Sequence, residues 1–252
     1  MIENEYFAFE TGQATDTGRV REHNEDSLLT RPDFGLWVVA DGMGGHAAGD
    51  YASQMIAQES ASVGMSSSLS DLEARFMERL VRAHDTIRAH AAALGSGTIG
   101  ATVVSLLTYE DSYACIWSGD SRIYLSRGGH LVQQTRDHTE VQHLLDTGAI
   151  NAEEALTWPR KNVITRAVGV TNAPQCDVVE GSLLDGDVFL LCSDGLTEHV
   201  SDPEISAFLD KIRHGAPVQT VCNEMIEQVL DRGAKDNVTC VLVRCTVRAE
   251  GF

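Results

Sequence analysis

Three carboxylates in this chain stand where a strand would end. Asp41 follows the apolar run Leu36-Trp37-Val38-Val39-Ala40 and opens a glycine-rich stretch, Gly42 to His46. Asp194 follows Val188 to Ser193 in the same plan, with Gly195 directly after it. Asp236, in Lys235-Asp236-Asn237, precedes the apolar run Val238 to Val243. Short runs rich in β-branched and aromatic residues read as buried strands, so the three acids could meet at one edge of a sheet. Crowded carboxylates repel unless they share protons or cations, and all-oxygen donors suit hard divalent ions. Asp41 alone would serve equally as the N-cap of a following helix. The repetition at Asp194 favours the metal.

A second polar group lies upstream. Val20-Arg21-Glu22-His23-Asn24-Glu25-Asp26 is dense in charge and leads into Leu28 and Leu29, a strand expected to pair near Leu36 to Val39. That pairing would bring Arg21, Glu25 and Asp26 close to Asp41. Asp120, in Gly119-Asp120-Ser121-Arg122, reads on its own as a hairpin turn.

Spacing excludes several other chemistries. The glycine-rich turn has no Lys to reach a phosphate as a P-loop would, and neither HExxH nor paired Cys/His zinc spacing occurs. No Cys is followed six positions later by Arg, and the acids are not clustered as in an EF-hand loop. Carboxylates from separate strand ends, with an arginine beside them, suit a two-metal centre that activates water against a phosphate ester.

The elements that must position these residues follow from periodicity. Gly49 to Ala61 reads as a helix. A longer one runs from Leu69 to Gly95, with Leu69, Leu72, Phe76, Leu80, Ala83, Ile87, Ala91 and Leu94 on one stripe and a capping box at Ser70-Asp71-Leu72-Glu73. His84 and His90 on that helix are expected at the surface. Short β-type runs follow at Ala101 to Thr108, Ser112 to Trp117, Arg122 to Ser126 and Leu131 to Thr135. Residues 137–162 read as a helix and a polar insertion containing Trp158-Pro159. Strands are expected again at Asn162 to Ala167, Asp177 to Leu184 and Val188 to Cys192. Helices begin at Ser201-Asp202-Pro203-Glu204 and near Val218, before the last strand. Strands come in hairpin succession and helices in pairs, so the expected fold class is α+β, a sandwich of two antiparallel sheets flanked by helix pairs.

Composition narrows the setting. The 252 residues, 43% hydrophobic and 22% charged, suit one soluble domain spanning 1–252. A formal net charge of −18 argues against nucleic-acid and anionic-membrane partners. There is no membrane-spanning run, and the acidic start MIENEYFAFE is unlike a signal peptide. The six cysteines show no CxxC pair, and Cys192 and Cys240 fall inside strand candidates as buried thiols. A cytoplasmic location is expected.

Taken together, TDTGRVREHNEDS, WVVADGMGGHAAGD, SGTIGATVV, SGDSRIYL, TRDHT, NVITRAVG, LLCSDGLTEHV and KDNVTCVLV occur in an order that closely resembles the metal-dependent protein serine/threonine phosphatases of the PP2C (PPM) family, in their bacterial single-domain form. The resemblance covers about Thr15 to Val243. It implies a β-sandwich holding two Mn²⁺ or Mg²⁺ ions at one edge. Asp41 would bridge them, the Gly42 carbonyl would complete one shell, and Asp194 and Asp236 would hold the other ion. Glu25 would reach the metals through water, Arg21 would bind the substrate phosphate, and Asp120 matches a third, weaker metal position. The insertion after His138 matches a flap beside the active site.

Animal-type members carry His directly after the Asp-Gly, where this chain has Met43, which cannot donate a proton. His46 is the nearest candidate acid, with metal-bound water as its competitor. The partners implied are phosphoprotein substrates and a cognate Ser/Thr kinase, and the chain itself is expected to be a monomer. Two other readings stay open: a phosphomonoesterase for nucleotides or small metabolites, and a non-catalytic regulatory protein of the same fold.

Overall fold

Side chains alternate between the faces of a strand, so strands buried on both faces need a layer on each side. The computed structural model describes residues 4, 6–44, 48–95 and 97–248, and it meets that need with two antiparallel sheets between two helical layers. The strands are β1 (Phe7–Asp16), β2 (Asp26–Arg31), β3 (Leu36–Met43), β4 (Gly100–Ala101), β5 (Val103–Tyr109), β6 (Ser112–Ser118), β7 (Arg122–Arg127), β8 (His130–Gln133), β9 (Asp177–Ser182), β10 (Val188–Cys192) and β11 (Val238–Val247). One sheet has the order β1-β11-β10-β7-β8. The other runs β2-β3-β5-β6-β9, with β4 paired to β3.

The helices are α1 (Ala48–Ala61), α2 (Leu69–Leu94), α3 (Glu140–Asp146), α4 (Ala152–Leu156), α5 (Asp194–Thr197), α6 (Asp202–Arg213) and α7 (Val218–Asp231). Leu36, Val38 and Ala40 of β3 face α1 and α2, meeting Ile56, Leu72, Phe76, Leu80 and Ile87. Trp37 and Val39 point the other way, into a core between the sheets with Val104, Phe189, Leu191 and Val241. On the far side, Leu190, Cys192, Cys240 and Leu242 pack against Ile205, Leu209, Val221 and Met225 of α6 and α7. Burying each large side chain contributes roughly 1.5–3 kcal/mol. The layers are therefore fixed by β3, β10 and β11, the strands that lead to or from the three acids.

Expected β2–β3 pairing is observed, with Leu28 opposite Val39 and Leu29 opposite Val38. Three local expectations need correction. The long helix is capped by Ser68, whose side chain accepts from the Asp71 N–H, and not by a box at Ser70. Asn162 to Ala167 forms no strand; the segment makes one isolated bridge, Ile164 to Thr139, and Val168 just beyond it makes another to Ala101. His84 is fully buried, because position 84 adjoins the stripe residues Ala83 and Leu80 and its Nδ1 accepts from the Gly169 N–H at 2.9 Å. His90 stacks on Tyr51. Among the described residues no helix is long and apolar enough to cross a membrane, and all six cysteines are free thiols.

Candidate metal centre

The sheet containing β3 fixes two acids by ladder register. Asp26, the first residue of β2, is the cross-strand partner of Asp41 in β3. Asp41 is therefore a strand residue and not a helix cap. Its carbonyl accepts from the Thr102 N–H at 2.8 Å, and its N–H donates to Thr102 Oγ1 at 3.2 Å. The same Oγ1 lies 2.7 Å from Ser121 Oγ, so one threonine secures both Asp41 and the turn carrying Asp120. Gly42 donates its N–H to the Glu25 carbonyl at 3.1 Å. A β-carbon at Gly42 would lie 2.1 Å from the Gly49 carbonyl, and one at Gly49 would lie 2.7 Å from Glu25 Oε1. The start of α1, the glycine turn and Glu25 thus approach as only glycine permits.

The second sheet contributes by side-chain hydrogen bonds. Asp194 opens α5 directly after β10. The preceding Ser193 donates its Oγ–H to Asp26 Oδ2 at 2.8 Å and accepts from the Thr239 N–H at 3.0 Å, which ties the two sheets together. Asp236 stands before β11 and accepts from Arg21 Nη2 at 2.7 Å. Its neighbour Asn237 accepts from the Glu25 N–H at 2.8 Å and donates to the carbonyls of Thr17 and His23, both at 2.9 Å. That one amide holds the loop bearing Arg21 and Glu25. Gly18 crosses here with φ +81°, and a β-carbon on it would sit 2.3 Å from the Asp236 carbonyl.

The structure therefore brings Arg21, Glu25, Asp26, Gly42, Asp41, Asp120, Asp194 and Asp236 to one end of the sandwich. Their electrostatics show the crowding. Burial, then the charges of Asp26, Asp194, Asp120 and Asp236, hold the Asp41 carboxyl well above the usual range. Asp194 is raised by burial and then by Asp120, Glu198 and Asp236. Burial pushes Asp26 up to about 6 despite hydrogen bonds from Thr239 and Ser193, and pushes Asp120 up to about 6 with help from Asp137. Arg21 is raised, chiefly by its bond to Asp236 and further by Glu25 and Asp41.

No three His, Cys, Asp or Glu side chains among the described residues are drawn together as a finished coordination shell. The donor set nevertheless fits hard divalent cations. It is all carboxylate and carbonyl oxygen, Asp41 and Asp194 are buried among like charges, and Asp26 Oδ1 is buried without a hydrogen-bond partner.

Sequence reasoning passed over Thr102, Ser193, Asn237 and Glu198. Ser193 and Asn237 adjoin the predicted acids, and a polar residue next to a site at a strand end was the available signal. Glu198 accepts from Asn162 Nδ2 at 2.8 Å, so the insertion after His138, with α3 and α4, is fastened beside Asp194 and Asp120. His46 lies outside the described residues.

Comparison with known proteins places this geometry. The family model for protein phosphatase 2C matches residues 17–242. The serine/threonine phosphatase stp of Listeria monocytogenes is 32% identical over 245 residues, 94% of this chain and 96% of the relative. A solved structure of PppA, described as a key regulatory component of T6SS in Pseudomonas aeruginosa, superposes with a TM-score of 0.86 at 38% identity, covering 94% of this chain and 97% of that one. The catalytic domain of the serine/threonine protein phosphatase PstP, solved with two manganese ions, gives 0.83 at 32% identity, covering 95% and 99%. With nearly all of its length matched, this chain belongs to the protein phosphatase 2C family, whose members are metal-dependent.

Proposed function

We propose that this chain hydrolyses phosphoserine and phosphothreonine monoesters in proteins, as one catalytic domain, and so reverses a Ser/Thr kinase in the cytoplasm. The observation that carries the reading is the meeting of Asp41, Asp120, Asp194 and Asp236 at one sheet edge, where burial and then the neighbouring acids' charges hold the carboxyls of Asp41 and Asp194 well above the usual range, with Arg21 on the rim. Asp41, the Gly42 carbonyl, Asp194 and Asp236 would hold two Mn²⁺ or Mg²⁺ ions, Glu25 would act through water, and Asp120 would serve a third, weaker site.

When bound, such ions supply Lewis acidity and a water of lowered pKa. The chain's own residues do the rest. The Arg21 guanidinium offers a planar fork to two phosphate oxygens, and breaking its bond to Asp236 frees it to do so. Its charge offsets that building on the phosphoryl oxygens as the ester bond breaks. Ser193 and Thr102 hold the acids at their strand ends, and Asn237 holds the Arg21 loop. The leaving serine or threonine oxygen needs a proton that Met43 cannot give, and His46 is our candidate donor. On that assignment, His46→Ala slows a phosphothreonine peptide far more than p-nitrophenyl phosphate, whose leaving group hardly needs the proton. Equal losses on both would discard it.

The reading itself is tested by comparing a phosphothreonine peptide with nucleotides under the same Mn²⁺ concentration. Preference for the peptide, abolished by chelation, is the expected result. Preference for nucleotides would make the chain a small-molecule phosphomonoesterase. No turnover of either would make it a regulatory binding protein.

A further inference from the structure

At the pole opposite the carboxylates, where β2 ends and β3 begins, the surface closes into a cavity of about 190 Å³. Six-residue β2 spans the distance, so the cavity lies roughly 20 Å from Asp41. Tyr6, Phe34, Met65 and Tyr109 wall it, and Asp33 and Glu110 supply the charge; no Lys or Arg is among its lining residues. From these groups we propose that the cavity is a docking site for one arginine side chain presented by a partner protein.

Size, charge and shape each favour that occupant. Pockets for drug-sized ligands run from about 300 Å³ upward, whereas this one has room for a single side chain. Carboxylates beside aromatic faces in a chain of net charge −18 complement a flat cation. Guanidinium stacks on aromatic rings and bonds carboxylates through its fork; a lysine ammonium does neither as well. The molecule already shows the pairing at this spot. Arg31 holds its guanidinium 3.5 Å from the Phe34 ring centroid while donating to the carbonyls of Ala61 and Val63, which leaves Tyr6 and Tyr109 for an incoming cation.

One further observation points to a ligand. Thr108, another lining residue, is only 4% exposed, yet its Oγ1 has no hydrogen-bond partner. Glu110, at φ +52°, turns the two-residue hairpin between β5 and β6 and lines the cavity. The Asn4 side chain fixes the Glu110 carbonyl at 2.7 Å. A protein segment fits better than free arginine because Tyr6 and Met65 stand 52% and 57% exposed at the cavity, an apolar margin for the residues flanking the anchor.

The experiment titrates the full ¹⁵N-labelled chain with a capped peptide, acetyl-Phe-Arg-Phe-amide, and with its citrulline counterpart. Saturable amide shifts confined to Asp33, Phe34, Gly35, Tyr109 and Glu110 are expected with the arginine peptide. The citrulline peptide should bind at least roughly tenfold more weakly, the scale of a lost cation–π contact and charged hydrogen bond. The D33N/E110Q double variant should show the same weakening while keeping its melting temperature and p-nitrophenyl phosphate turnover. Equal binding of the citrulline peptide, no saturable shift, or shifts elsewhere would overturn the proposal. So would binding of free L-arginine but not of the capped peptide, which would mark a metabolite site. If the double variant fails to fold, the two peptides on the unaltered chain still decide.

Discussion

The two sheets deliver their acids by different means. In the sheet of β2 and β3, Asp26 and Asp41 are ladder residues whose separation is set by strand register. In the sheet of β10 and β11, Asp194 and Asp236 stand just outside the strands, and the adjoining Ser193 and Asn237 side chains tie that end to Asp26 and to the loop of residues 17–25. A ladder position can move only if several backbone bonds break at once. A loop position held by one amide can move when that amide is lost. The rigid half suits groups that must stay together against mutual repulsion, and the adjustable half suits a rim that admits a substrate.

The comparison is tested most severely at Asp41. Asp41→Asn removes charge from the middle of the cluster while leaving the ladder intact. It is expected to lower kcat/KM by several kcal/mol, roughly a thousandfold, with an unchanged melting temperature or a higher one in metal-free buffer, since the repulsion is gone. A metal-free protein that kept full activity would undo the whole account. On the adjustable side, Arg21→Ala should raise KM and reduce kcat/KM by the equivalent of roughly 2–4 kcal/mol. Arg21→Lys should recover only part of it, lacking the fork. Unaltered kinetics in Arg21→Ala would return that residue to the surface.

Asn237→Ala sharpens the contrast, because it removes three hydrogen bonds without touching an acid. With each such bond contributing about 0.5–1.5 kcal/mol, a stability loss of about 1.5–4.5 kcal/mol is expected. Hydrogen exchange should quicken in residues 17–25 and not at Asp41. Exchange that quickened equally in both would show that the halves are not independent.

The smallest effect concerns His84, behind the β3 sheet. Burial, and then Arg88, lower its pKa below the ordinary 6.5, opposed by Asp85. The unfolded chain therefore takes up the proton first, so stability is full above 6.5 and falls as pH drops through that value. His84→Gln, which can still accept from Gly169, should flatten the acid side of the melting-temperature profile. Identical profiles would contradict the assignment.

Much of this was legible because two kinds of signal agreed. Strand runs ending in Asp-Gly gave both the layers and the acids, since a strand buried on both faces and a carboxylate at its end leave separate marks in sequence. The resemblance to PP2C proteins then supplied roles that spacing alone left open. What escaped was long-range partnership. Nothing local says that Thr102 would hold both Asp41 and the Asp120 turn, or that Asn237 would grip Thr17 and His23. His84 was misplaced because a histidine beside an apolar stripe reads as polar until a backbone N–H from residue 169 comes to meet it. The 162–167 segment looked like a strand by composition but pairs only through the single bridge from Thr139 to Ile164.

The position of β11 has a consequence for how the molecule comes into being. This strand pairs with β1 from Phe7 opposite Val247 to Asp16 opposite Val238, and with β10 on its other side. An interior strand of one sheet, lying between β1 and β10, is thus the last in chain order, and the first strand waits more than two hundred residues for its neighbour. Closing so long a loop is slow, and contacts of such sequence separation form late in folding. On the ribosome, then, the β3 half can assemble while β11 is still unmade, and Asp194 and Asp236 come to their places only afterwards. A chain cut short before Val238 would leave β1 without a partner and β10 as a new, exposed edge.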